Sequence, residues 1–172
     1  MKADELRSIQ APLKERYKAE PSAALLTLKA QGHLGAGITC KVQTGKALVE
    51  AGLHPVTGGS GLSACSGDML LEALVACAGV TLSAVATALG IEIRNGKVYA
   101  EGDLDFRGTL GVAKDAAVGF QSIRLRFELD TDATKDQLAT LIRLAERYCV
   151  VYQTLRQSPE MSVNARVGHK LE

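Results

Sequence analysis

Hydrophobic positions change period several times along this chain, and each change predicts an element. Leu6, Ile9, Leu13 and Tyr17 recur at helical spacing on a polar background, which predicts an exposed helix over 3–19 that Pro21 ends. From 23 to 31 the pattern alternates at Leu26, Leu28 and Ala30, as a strand does. Residues 32–37 read as a turn, and 38–42 and 47–51 as two further short strands of an antiparallel meander. The glycine-rich connection 52–61 has neither the Lys of a phosphate-binding loop nor GxGxxG spacing, so its glycines are assigned to turns.

The longest apolar run predicts a helix at about 66–89, with Ser66 as N-cap, Asp68 favouring the dipole in the first turn, and Gly90 ending it. It is apolar nearly all round, so it is expected to be buried. Ile91/Ile93 and Val98/Ala100 alternate about Asn95-Gly96, a hairpin signal. Leu104/Phe106 continue the strands, and Ile123, Leu125, Phe127 and Leu129 alternate with Arg124, Arg126 and Glu128, as in a half-exposed strand. An amphipathic helix is expected over 133–148, with Leu138, Leu141, Ile142, Ala145 and Cys149 on one face. A short helix at 151–157 and a strand at 161–167 complete the pattern. The elements make an α+β chain: one domain over 1–172, with a helical arm (1–21) and a core (22–168).

Composition narrows the class without choosing an activity. The chain of 172 residues can bury a sizeable core, and a net charge of +1 offers nothing to nucleic acid or an anionic membrane. The charged N-terminus has no apolar signal core behind it, which predicts a cytoplasmic protein. Residues 69–91 are long enough to cross a membrane, but Glu72 interrupts them and no second span or basic flank supports them. A buried helix and no membrane are expected.

The four cysteines, 40, 65, 77 and 149, form no CxxC, and the histidines are only 33, 54 and 169. No metal and no other cofactor is expected. On composition alone these thiols are either core residues or parts of a redox centre. On a helix, Leu70, Ala73, Leu74, Val80, Thr81, Ala84 and Ala88 lie near the face of Cys77, a small apolar wall that would raise its pKa and silence it. The start of its own helix is about three turns away, too far for the dipole to help. Cys149 lies near a helix C-terminus, whose dipole opposes a thiolate. If the two form a couple, Cys77 attacks and Cys149 resolves.

Two segments weigh on this choice. Residues 66–82 read Ser-Gly-Asp-Met-Leu-Leu-Glu-Ala-Leu-Val-Ala-Cys-Ala-Gly-Val-Thr-Leu, and 145–155 read Ala-Glu-Arg-Tyr-Cys-Val-Val-Tyr-Gln-Thr-Leu. Together they resemble the two cysteine motifs of the OsmC/Ohr family, the osmotically inducible protein C and organic hydroperoxide resistance proteins, in its OsmC-like branch. The resemblance covers roughly 23–168. It implies antiparallel sheets packed around a buried central helix, in an intertwined homodimer with its sites at the interface. It implies a thiol-dependent peroxidase of oxidative or osmotic stress defence, reducing organic hydroperoxides. Cys77 would become a sulfenic acid, Cys149 would close a disulfide, and an external dithiol, such as a lipoyl-type one, would reopen it. The alternative on the same fold is a non-catalytic binder of hydrophobic ligands or a redox-sensing dimer.

This chain departs from the family pattern in two ways. The Pro-Glu pair that opens the cysteine helix in many members is Ser66-Gly67 here, and residues 22–65 contain no Arg to supply the cation of the Ohr branch. His54 and Asp68 are candidate substitutes. The competing reading of His54 is a loop residue capping backbone groups, and that of Asp68 a helix-start charge. Glu72, ~140° round the helix from Cys77, is assigned a structural pairing role. Tyr148 and Tyr152 are expected to pack beside Cys149, and Cys40 and Cys65 to be structural, with Cys65 an alternative resolving thiol.

Overall fold

The computed structural model describes residues 3–34, 40–42, 51–62 and 64–164. Three long strands carry the architecture: β1 (Leu25–Leu34), β5 (Asn95–Asp105) and β6 (Phe120–Asp130). With β2 (Cys40–Val42) they form an antiparallel sheet in the order β2-β1-β5-β6. β5 pairs with β1 from Leu25↔Asp105 to His33↔Lys97, and with β6 from Asn95↔Asp130 onward, slipping register at Asp103/Leu104. Two two-residue strands, β3 (Ala51–Gly52) and β4 (Ala64–Cys65), pair in parallel.

Helix α1 is Ala3–Ala19, α2 Ser66–Leu89, α3 Phe106–Thr109, α4 Lys135–Tyr148 and α5 Val150–Arg156. α2 lies on the sheet, and α4 and α5 pack against it. Leu71, Leu74, Val75 and Ala78 of α2 meet Val98 and Ala100 of β5 in the main core, which also encloses Cys149. Each fully buried Leu or Val contributes about 1.5–3 kcal/mol, so this seam fixes α2 against the sheet. A second cluster, Leu82, Ala86, Leu141 and Ala145, joins α2 to α4. A third, Tyr17, Ala24, Phe106 and Leu110, seats α1, and the Tyr17 hydroxyl donates to the Val56 carbonyl at 2.7 Å.

The opposite face of the sheet is charged. Arg124 pairs with Asp103, which also accepts from Thr27 and Ser122, and Arg126 stacks over Tyr99 and pairs with Glu128. That face therefore turns to water, as the alternation in 123–129 predicts. At the end of β5, buried Asp105 caps α3 through the Arg107 amide and pairs with the Arg107 guanidinium at 2.5 Å.

Several expectations are corrected. Asn95-Gly96 opens β5 rather than turning a hairpin, and 91–93 lie outside any strand. Ile91 and Ile93 instead pack on the α2–α4 cluster, so tertiary burial explains their alternation. Phe106 begins α3, because capping by Asp105 turns the chain. Residues 32–34 extend β1 rather than turning, and β3 pairs in parallel with β4 rather than extending the meander. Residues 161–164 have no regular structure, and 165–167 lie outside the described residues, as do 35–39 and 47–50. The N-cap of α2 is Cys65, one residue before the expected Ser66, and it makes no side-chain cap bond. Gly90 does end α2, at φ 66°, with its amide on the Ala86 and Thr87 carbonyls.

The largest difference concerns α2 itself. It is apolar enough to cross a membrane by length and composition, but one side is packed as a core helix. Met69, Leu70, Ala73 and Val80 stay exposed, because one sheet and two helices cover only part of its circumference.

Candidate active site

α4 begins at Thr134 with a capping box, Thr134 to the Gln137 amide and the Gln137 side chain back to Thr134. It ends at Cys149, whose extended backbone (φ −73°, ψ 107°) breaks the helix for a single residue. Cys149 thus closes α4 and caps α5. Its amide donates to the Ala145 carbonyl, its carbonyl accepts from Gln153, and its Sγ accepts from the Tyr152 amide at 3.5 Å. The Gln153 side chain donates to the Glu146 carbonyl at 2.8 Å, fastening α5 to α4.

The first amides of any helix have no partner within it. In α5 the Val150 and Val151 amides find theirs in Cys77, which also receives hydrogen bonds from the Cys149 thiol and from Thr81, one turn further along α2. Cys77 is half-buried and Cys149 is 1% exposed. Burial pushes the Cys77 thiol up, but these donors outweigh it and hold the thiol below its ordinary range. The Cys149 thiol is pushed up to about 11, first by burial and then by its bond to Cys77, with the Tyr152 amide opposing. The pair therefore sets one thiol with a lowered pKa beside one with a raised pKa, and the lowered one is the better placed to ionise.

Sequence reasoning alone leaves Cys77 silent, because its own helix begins three turns away. The donors come instead from a different helix, whose start the kink at Cys149 creates. The expected C-terminal placement of Cys149 is only half of its position, since it also heads α5. The missed participants are the Val150 and Val151 amides and the Thr81 hydroxyl. A short helix predicted just past a cysteine was the available signal for the amides, and the i, i+4 spacing of Cys77 and Thr81 for the hydroxyl.

The other candidates gather elsewhere. His54 caps the turn Pro55–Thr57, with Nδ1 accepting from the Val56 amide at 3.1 Å and its ring stacked on Phe106 at 5.6 Å. That is the capping reading of His54. Burial raises the Asp68 carboxyl, with His54 opposing, and raises Glu72, with Asp68 adding to the effect. The three form an electrostatic set at the head of α2, and none of them is among the groups that hydrogen-bond Cys77. Tyr152 packs on the core, whereas Tyr148 is exposed, with Arg147 over its ring, so only one of the two tyrosines packs as expected. Cys65 is a free, half-buried thiol beside the main core, and the side chain of Cys40 lies outside the described residues. Among the described residues no three His, Cys, Asp or Glu side chains converge as a metal site.

An α+β chain whose apolar helix brings one cysteine to a second at a helix–helix junction defines a class of two-thiol proteins. The sequence profile of the family described as OsmC-like protein matches residues 59–164, more than half of the chain, and the chain belongs to that family. The fold is similar to that of an OsmC-like hydroperoxide resistance protein from Jannaschia sp. CCS1, with TM-score 0.62 and 15% identity over 86% of this chain and 97% of that one. It is also similar to an OsmC-like protein from Mycoplasma pneumoniae, with TM-score 0.55 and 16% identity over 78% of this chain and 86% of that one. No curated protein matches the sequence.

Proposed function

We propose that this protein is a thiol peroxidase for organic hydroperoxides, with Cys77 the attacking thiolate and Cys149 the resolving thiol. The placing of the two cysteines at the junction of α2 and α5 carries the reading: the donors there lower the thiol of half-buried Cys77, while burial raises that of enclosed Cys149. The Cys77 thiolate attacks the terminal oxygen of the hydroperoxide, the O–O bond breaks, and the alkoxide takes a proton and leaves as the alcohol. The Cys77 sulfenic acid then condenses with the Cys149 thiol, forming the S–S bond and releasing water. An external dithiol, for which a lipoyl-type compound is the proposed donor, is oxidised as it restores both thiols. The apolar surroundings suit an alkyl hydroperoxide better than hydrogen peroxide. A cytoplasmic setting, where thiols are kept reduced, fits the cycle.

We also propose a homodimer built on the open face of α2. Met69, Leu70, Ala73 and Val80 present small and medium apolar groups there, and a second copy would remove them from water. Glu72, already partly desolvated, would sit at the edge of that contact and pair with a cation of the second copy.

Turnover of cumene hydroperoxide with dithiothreitol tests the chemistry. Cys77→Ser is expected to lower kcat/KM by roughly a hundredfold or more, the scale of losing a catalytic group. Mass spectrometry after one equivalent of peroxide is expected to find a Cys77–Cys149 disulfide, and Cys149→Ser to stop at the sulfenic acid. Wild-type protein no faster than Cys77→Ser sinks the reading, and two unreacted thiols would favour the non-catalytic binder.

A further inference from the structure

Helix α1 is fastened to the turn Pro55–Thr57 at two points. The Tyr17 hydroxyl donates to the Val56 carbonyl at 2.7 Å, and the Gln10 side chain donates to the Thr57 carbonyl at 3.3 Å. The two donors are seven residues apart, so they share one face of α1 about two turns from each other. Gly58, at φ 91°, lets the helix approach the end of the turn: an added Cβ would come within 2.4 Å of the Ile9 Cγ2. Tyr17 is buried with Ala24, Phe106 and Leu110, and Val56 packs on the same cluster.

The turn is in its own right held by His54. Its Nδ1 accepts from the Val56 amide at 3.1 Å, and its carbonyl accepts from the Thr57 amide at 2.8 Å and the Thr57 hydroxyl at 2.9 Å. Its ring stacks on Phe106, inside the cluster that seats α1. A ring nitrogen that accepts carries no hydrogen, so the neutral imidazole keeps its proton on Nε2. An Asn in this place would cap the turn at any pH, whereas a His caps it only while neutral. Protonation puts an N–H on Nδ1 facing the Val56 N–H, and two donors cannot satisfy each other. The half-buried Val56 amide then loses its acceptor. Histidine is the side chain whose charge changes between about pH 5 and 8.

The charged groups around His54 give an imidazolium somewhere to turn. On α2, Asp68 is near enough for His54 to oppose the effect of burial on its carboxyl, and Glu72 lies one turn further along. At the head of α3, Asp105 and Arg107 answer each other's charge. On α1, burial raises the Tyr17 hydroxyl, so that group stays protonated and keeps donating.

We propose that His54 is an acid-sensitive latch for the helical arm: when neutral it caps the turn that grips α1 through Tyr17 and Gln10, and when protonated it releases the Val56 amide and loosens α1 from its seat on Phe106 and Leu110. The latch is independent of the peroxidase reading, since neither His54 nor Tyr17 is among the groups bonded to Cys77.

Hydrogen exchange of the full-length protein at about pH 7.5 and about pH 5.5, on the two sides of histidine titration, tests it once the intrinsic exchange rates are divided out. Protection of the α1 amides is expected to fall about fivefold at the lower pH, the scale of losing one N-cap, while the β5 amides keep theirs. His54→Asn retains a cap acceptor that does not titrate, and is expected to protect α1 equally at both pH values. His54→Ala is expected to show the lower protection at both. Tyr17→Phe leaves the cap but removes one grip, and is expected to lower α1 protection at the higher pH. The proposal is overturned by a wild-type arm that does not respond to acid, or by a response that survives in His54→Asn. Full protection of α1 in Tyr17→Phe would also overturn it, because the turn would then not be what holds the arm.

Discussion

The groups that lower the Cys77 thiol carry no formal charge. Its donors are two backbone amides, a hydroxyl and a thiol, and the amides belong to the first turn of α5. Val150→Pro is a clean probe of one of them. Proline is tolerated in a first turn, and Cys149 before it already has the extended ψ that a pre-proline residue prefers. Because the folded Cys77 pKa is depressed, the ascending limb of kcat/KM against pH should lie below the ~8.5 of a free thiol. Val150→Pro should move that limb to higher pH with α5 retained by circular dichroism. An unchanged limb would show that this amide contributes nothing. Cys149 titrates in the opposite sense. Its folded pKa is raised to about 11, so its contribution to stability is full below the unfolded value of ~8.5 and is lost as pH rises through about 11.

Among the elements, α5 depends on Cys149 as much as Cys77 depends on α5. The Cys149 side chain fills a place in the main core and also accepts the Tyr152 amide. Cys149→Ala removes a cap acceptor and leaves a small cavity, at a cost of about 1–2 kcal/mol that denaturant unfolding would measure. A loss well under that would mean that Sγ neither caps nor packs to any effect. The strands and long helices were legible along the chain because each buries one face, and burial on one face leaves a period of two or of about 3.6. The hairpin expected at Asn95-Gly96 failed for a specific reason. Ile91 and Ile93 serve the α2–α4 cluster, and alternation over three residues does not say which partner buries it.

For the whole molecule, the open face of α2 is the main unsatisfied surface of the core helix. Val80 at 38% and Met69 at 37% exposure flank Ala73, and a single chain has no further element to lay on them. Ala73→Arg is expected to convert a dimer to a monomer in sedimentation velocity and to remove the dependence of Tm on protein concentration. A wild-type protein that sediments as a monomer at tens of micromolar (roughly, on the scale where Kd-limited dimers populate) would remove the dimer from the proposal.

The linear pattern of residues was enough to determine the α+β class, the apolar helix, the amphipathic helix and the order of the two cysteines, since all of these are written in local periodicity and in motifs of contiguous residues. Only the tertiary structure decided which groups surround the Cys77 thiol. Two of its donors lie about seventy positions away along the chain and are backbone amides, which every residue except proline carries and which no side-chain pattern can mark. The same holds for the surface groove between β6 and α5. Leu74, Phe120 and Arg156 become neighbours only once α5 is folded back beside β6.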